Sequence, residues 1–426
     1  MSGARYIEEL TPVSIALEEL KGRVRPVGEW FEVPVWDAVG LVVARDVRAP
    51  VDWPPYARSA YDGYAVRSED TPGRLRVVGE ELIGGAPRLR IGPGEAAYVT
   101  TGSYIPEGAD TVVPEEKVKR LDDNHILVEE HYPPGSYLDS AGSIVRKGMT
   151  LLKSGTVLTW EDVAGLLEVA VTEVPVYRSV RVAIVSTGNE LIYPSMPALT
   201  AKEILEGKVV ATTGDVIEGF MRRYTPWVEV IGQTLLPDDR EAVAWHIERV
   251  LPLVDVVLVT GGTGPSRIDL FYQLQDRLGG ELVFRGLYVI GGKPTSAYVV
   301  EGKPVVGLSG YPISALHAMI RLVYPLLQYM GNVRRPSPPL PLVEAELEGE
   351  ITPKRPRPIK VRLEYRNDKI IAIPLDKRYQ KSSANVGFLM ADGLALTGDR
   401  PLKKGDKVTV FLLRQPRGYK LPWLTP

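Results

Sequence analysis

The chain has 426 residues, 51 Lys+Arg against 53 Asp+Glu, a formal charge of −2 and 44% hydrophobic residues. That is the composition of a soluble globular protein of two to four domains, with none of the basic excess that nucleic-acid binding requires. There is no cysteine, which excludes disulfides, thiolate metal centres and cysteine nucleophiles, and the four histidines (His125, His131, His246, His317) lack the spacing of a zinc site.

In chain order, the start MSGARYIEEL has no basic lead into an apolar run. The apolar stretch at residues 319–330 is broken by Arg321 and too short to cross a bilayer. A cytoplasmic protein without membrane contact is expected. Residues 6–28 are predicted helical from Ile7, Leu10, Ile15, Leu17 and Leu20, with Thr11-Pro12 as an internal start signal. Residues 51–143 carry GGAP, IGPGEAAYV, YIPEGAD and YPPG, the dense punctuation of a small β-rich domain. Helical spacing returns over residues 155–177 at Val163, Leu166, Leu167, Val169 and Ala170.

Residues 181–330 alternate apolar strands with helical faces. Strands are expected at residues 182–185, 228–231, 256–260 and 304–308, and helical faces at Val216, Ile217, Phe220, Met221 and Tyr224 and again at Val243, His246, Ile247, Val250 and Leu251. This predicts a parallel sheet covered on both faces. His246 and His317 fall on such faces and read as packing residues. After the proline-rich RRPSPPLP, the alternation at residues 343–347 and the run LKKGDKVTVFLL predict a small all-β domain.

Three of the apolar strands end in distinctive turns: STGNE, TGGTG and GLSGYP. Ligands of open parallel sheets bind outside the carboxyl ends of the strands, so these turns are expected on one rim. Glycine lets backbone approach a ligand and expose its N–H groups, and Pro312 suits the first position of a helix beside such a turn. Tight strand-to-helix connection is the plainer use of the same glycines. Glu190 and Asp269 follow two of the turns. They either hold Mg²⁺ through a phosphate or cap helices beginning there. Lys293 in GGKPTS is either a point charge for a phosphate or a solvated turn lysine.

STGNEL, TGGTGPSRID, GGKP and GLSGYPISA together resemble the MogA-like domain of the molybdopterin molybdenumtransferases, the MoeA and gephyrin E-domain family. The resemblance covers the whole chain in order: RSAYDGYAVR at 58–67, TGSYIPEGADTVVPEE at 101–116, KSGTVLT at 153–159 and QKSSANVGFLMADGL at 380–394 are each similar to a family segment. It implies a multidomain α+β fold. An elongated dimerisation domain (1–50 and 144–178) carries an inserted β-rich domain (51–143), and a MogA-like α/β domain (179–334) and a C-terminal β-barrel (335–426) follow. It further implies a homodimer that cleaves adenylated molybdopterin with release of AMP as molybdate or tungstate is inserted. Mg²⁺ is required, and other proteins of molybdenum-cofactor biosynthesis are candidate partners. The carried-over catalytic set is Asp269, Glu190, Asp62 and Lys293, with Glu190 and Asp269 on the metal. The substrate would lie against Thr187, Gly188, Gly261, Gly262, Thr263, Gly264, Ser266, Gly310, Pro312, Ser314 and Thr101. Asp62 would reach the site from the partner subunit, and Arg355, Ser382, Ser383 and Lys293 would hold the oxyanion, a dianion suited to an arginine fork and hydroxyl donors.

Departures from the family pattern cluster at this site. Asn189 stands for an acid, Ala211-Thr212-Thr213 for an Asp-Thr-Asn, Ile290 for a lysine, and Ser309 and Tyr311 for a proline and an asparagine, while Arg58 and Arg267 add positive charge. A weaker Mg²⁺ site, with arginines partly neutralising phosphate, is the expected consequence. Two alternatives to the transferase are a non-catalytic paralogue that binds molybdopterin or its nucleotide for storage or delivery, and a hydrolase of another nucleotide pyrophosphate.

Overall fold

Pro12 has no N–H to offer a preceding turn, and Thr11 is already paired with Leu287 in a parallel bridge. Among the described residues, the first helix of the computed structural model runs Val13–Lys21, inside the expected 6–28, of which residues 6–9 lie outside the described residues. The described residues are 10–262, 268–289, 293–352, 357–381, 383–398 and 400–418; of residues 268, 269 and 272 the backbone alone is described.

The stretch 155–177 also departs from expectation. The Trp160–Glu168 helix has a capping box of Thr159 and Asp162 and ends before Ala170, whose φ is +64°. Val174 and Val176 are then buried on alternate positions of the Glu173–Tyr177 strand, which pairs antiparallel with Trp30–Pro34. Over those five residues the period of two outweighs the helical spacing. This ribbon and the Trp160–Glu168 helix share a core of Val35, Ala38, Val43, Leu158, Leu166 and Val176.

The β-rich part is a six-stranded sheet in the order Thr111–Pro114, Gly63–Val66, Glu95–Val99, Gly73–Glu81, His125–Val128, Val118–Arg120. The C-terminal part is a closed five-strand barrel of Leu342–Leu347, Lys369–Pro374, Pro358–Arg366, Gly393–Leu396 and Lys407–Leu412.

The central sheet has six strands in the order Val228–Leu236, Val180–Thr187, Val256–Thr260, Lys303–Leu308, Ser296–Val300, Glu281–Arg285. The first four are parallel, but Ser296–Val300 is antiparallel to both its neighbours, so the sheet is mixed and Glu281–Arg285 runs the same way as the first four. Glu301 and Gly302, at φ +51° and +77°, form the tight turn that pairs Val300 with Lys303 and reverses the chain. One face is covered by the Thr213–Tyr224 helix, through Ile217, Phe220 and Met221, and by the Pro312–Ala318 and Tyr324–Met330 helices. A π-helical segment, Met319–Val323, joins the last two. Val243, Ala244, Ile247, Phe271 and Leu274 cover the other face. His317 is buried on the Pro312–Ala318 helix of the first face, and burial holds the half-buried His246 of the other face below its ordinary pKa. Among the described residues no helix is long and apolar enough to cross a membrane.

Candidate active site on the rim of the central sheet

The strands ending at Thr187, Thr260 and Leu308 are immediate neighbours and run the same way, so their three following turns lie side by side. Contact between the turns is close. Gly261 has φ +86°, and a Cβ there would stand 2.1 Å from the Thr187 carbonyl oxygen. One on Gly310 would lie 3.5 Å from the Gly261 Cα. A glycine is therefore required at 261 for conformation and for space. Thr187 is buried, and its hydroxyl has no hydrogen-bond partner among the described residues. Lys293 is exposed and lies three residues before Ser296, which pairs with Gly307; the antiparallel register thus brings it to the same rim.

The Thr213–Tyr224 helix starts at this rim. The Thr213 hydroxyl donates to the Gly310 carbonyl at 2.6 Å. Pro312 opens the Pro312–Ala318 helix, with Ser314 buried in its first turn. The barrel reaches the rim as well, for Asn385 Nδ2 donates to Thr212 Oγ1 at 3.3 Å.

Other expected residues have different employment. The Gly188 N–H donates to Leu236 O at 3.2 Å, and so is turned into the sheet. Glu190 leads into a short strand, Leu191–Ile192, and caps no helix; the next one starts at Pro197. Asn189 is tied to Asp238 in both directions, accepting from its N–H at 3.1 Å and donating its own N–H to the carboxylate at 3.3 Å. An aspartate at 189 would set a second carboxylate against that of Asp238. Ala211 is buried, so the position is packing rather than ligand. Arg58 donates to Asp139 at 3.0 Å and lies over the Trp53 ring, so this added charge is already neutralised. Ser383 is exposed on the barrel loop.

Asp62 and Thr101 form a separate cluster on the β-rich sheet. The Thr101 N–H and hydroxyl donate to one Asp62 oxygen at 2.6 and 2.8 Å, and these bonds hold the carboxyl below its usual pKa. No hydrogen bond among the described residues joins this pair to the rim of the same chain. Thr263, Gly264, Ser266, Arg267, Ile290, Arg355 and Ser382 lie outside the described residues. Asp269 belongs to the first turn of the Ile268–Arg277 helix.

Sequence reading missed three residues here. Asp215, exposed in the first turn of the Thr213–Tyr224 helix, adds a carboxylate; burial first, and then its charge, raise the Tyr193 phenol. TTGD before an apolar-periodic run was the available signal. Arg357 has a buried Nε without a hydrogen-bond partner among the described residues. Lys360, almost fully buried in the barrel strand Pro358–Arg366, gave no signal at all. Among the described residues no group of three or more His, Asp and Glu could hold a metal. One or two carboxylates beside exposed backbone suit an ion shared with a phosphate, as Mg²⁺ prefers, and not an all-protein cage.

Comparison with known proteins defines the class first. The MoeA N-terminal region (domain I and II) matches residues 11–170, and the probable molybdopterin binding domain matches residues 183–329. The structure of a molybdopterin biosynthesis MoeA protein from Pyrococcus horikoshii is similar, with a TM-score of 0.77 and 32% identity, covering 96% of this chain and 100% of that one. A molybdopterin molybdenumtransferase of Bacillus subtilis is 26% identical over 98% of both chains. Another, of Nostoc, is 29% identical over 71% of this chain and 70% of its own. The chain belongs to the MoeA family.

Proposed function

We propose that the chain is a molybdopterin molybdenumtransferase of molybdenum-cofactor biosynthesis, inserting molybdate or tungstate into adenylated molybdopterin with release of AMP. The names of its relatives favour this over storage and over hydrolysis of another pyrophosphate. The observation that carries it is the convergence of three strand-end turns with a buried Thr187 hydroxyl that has no partner among the described residues, beside a barrel loop bonded to the same rim.

In this reading the backbone at Gly261 and Gly262 faces the substrate phosphates, and Lys293 supplies a point charge to them. Glu190 and Asp269 would hold Mg²⁺, which neutralises and polarises phosphate oxygens when bound. Ser383, with Arg355, Ser382 and the adjacent Arg357, would grip the oxyanion. Asp62 works from the second subunit of a homodimer, ionised across the working pH range because Thr101 holds its charged form. The exposed aromatic surface of the discontinuous unit supports dimerisation: Trp30, Phe31, Trp36 and Trp160 are 38, 46, 57 and 72% exposed. The protein would work in the cytoplasm, exchanging substrate and product with other cofactor-biosynthesis proteins.

Single-turnover incubation with adenylated molybdopterin, Mg²⁺ and molybdate tests the reading. AMP should appear only with both metal and oxyanion present, and Asp269→Asn should lower its rate by about 10²-fold or more while the protein stays folded. AMP release indifferent to the oxyanion would overturn metal insertion. Unchanged turnover in the variant would remove Asp269 from the mechanism.

A further inference from the structure

Lys360 is 1% exposed, yet its ammonium meets no carboxylate among the described residues. Its Nζ donates to three backbone carbonyls of one loop: Tyr379 at 2.7 Å, Ala384 at 3.2 Å and Lys381 at 3.3 Å. The Phe388 ring lies 5.5 Å from it. The backbone of Lys360 is locked to the same loop, since its N–H donates to Gln380 Oε1 at 3.0 Å and its carbonyl accepts from Gln380 Nε2 at 2.8 Å. Gly387 leaves the needed space: a Cβ there would come within 2.9 Å of Lys360 Cδ and 3.0 Å of Nζ.

Ile359, Val361 and Leu363 face the barrel core, so Lys360 between them points outward beneath this loop, where an apolar side chain would fill the space at less cost than a desolvated cation. What the ammonium adds is geometry. Three carbonyls cannot converge on a methyl group, so without the charge only Gln380, among the described residues, would tie the loop to this strand. This loop carries Ser383, and one residue past its last caged carbonyl Asn385 bonds Thr212. Thr213, the next residue along, holds the Gly310 carbonyl, and a Cβ on Gly310 would meet the Gly261 Cα.

We propose that Lys360 is a positioning residue: its buried ammonium holds the Tyr379, Lys381 and Ala384 carbonyls in the arrangement that presents Ser383 to the rim and seats Asn385 on Thr212. That the presented group is an oxyanion rests on the function proposed above; the clamp itself does not.

The test exploits the absence of any native cysteine. Lys360→Met removes the donors and keeps an unbranched side chain. Lys360→Cys, alkylated in denaturant with 2-bromoethylamine and refolded, restores an ammonium of the same reach; 1-bromopropane gives an uncharged chain of equal length. Two readouts are taken: the molybdate dependence of AMP release, and the rate of tryptic cleavage after Lys381. Lys360→Met and the propylated protein should need about 10–100-fold more oxyanion for half-maximal rate, with a much smaller change in kcat. Both should also be cut faster at Lys381. The aminoethylated protein should recover both properties. Equal recovery by the propylated protein means packing alone and overturns the clamp, as does unchanged cleavage in Lys360→Met. If the unsubstituted protein releases no AMP, the function fails separately, and the cleavage rates still decide the clamp.

Discussion

Gly261 shows how much one residue can settle. Its positive φ and its approach to the Thr187 carbonyl leave no room for a side chain. Gly261→Ala is predicted to cost about 1–3 kcal/mol from backbone strain, read as a lowered denaturation midpoint, and to abolish the nucleotide binding proposed for the rim while the barrel stays intact. Wild-type stability and binding would show that the two turns move apart freely. Asn189 makes the complementary point. The residue is plain in the sequence, and so is its lack of charge; its partner is not, because Asp238 approaches only when the strand Val228–Leu236 lies beside Val180–Thr187.

Between elements, one ion pair ties the antiparallel ribbon to the central sheet. Arg178, directly after the strand Glu173–Tyr177, donates to both Asp255 oxygens at 2.6 and 3.0 Å, and to Glu29 at 2.7 Å. Burial raises the Asp255 pKa, but the Arg178 guanidinium and the Arg181 N–H outweigh it, so the net shift is downward from 3.8. A carboxyl depressed in the folded state contributes stability that is fully present above its unfolded pKa and is lost as pH falls through the folded one. Asp255→Asn should therefore cost about 1–3 kcal/mol at neutral pH, between an exposed and a fully buried pair, and the difference from the unsubstituted protein should shrink as pH drops below about 4. Denaturant titrations at pH 7 and pH 3 measure this; an equal deficit at both would assign the loss to packing.

At the scale of the molecule, Asp62 and the rim belong to different parts of the chain, with no hydrogen bond between them among the described residues. The function proposed above has them act on one substrate, with a second copy supplying Asp62. Sedimentation should give a dimer at micromolar concentration, and Phe31→Ser with Trp36→Ser should shift it to monomer with loss of AMP release. A second protein carrying Asp62→Asn, mixed with an Asp269→Asn protein, should regain part of the activity through mixed dimers. A monomeric, active wild-type protein would sink the shared-site reading.

Local pattern was enough for the alternating strands and helices, the glycine turns at the carboxyl ends of adjacent strands and the terminal β unit, because periodicity and turn chemistry act within a few residues. It misjudged residues 169–177, where pairing with Trp30–Pro34 makes a strand of a helix-like spacing, and it took the sheet as wholly parallel, because a two-residue turn at Glu301-Gly302 reverses the chain. The partners of Asn189 and Arg58 and the cage around Lys360 were beyond it, since each is a contact between segments far apart in the chain. Sequence alone determined the family to which this chain belongs; only tertiary structure decided which of its charges are paired within the fold, because a charge is spent or free according to what the fold packs against it.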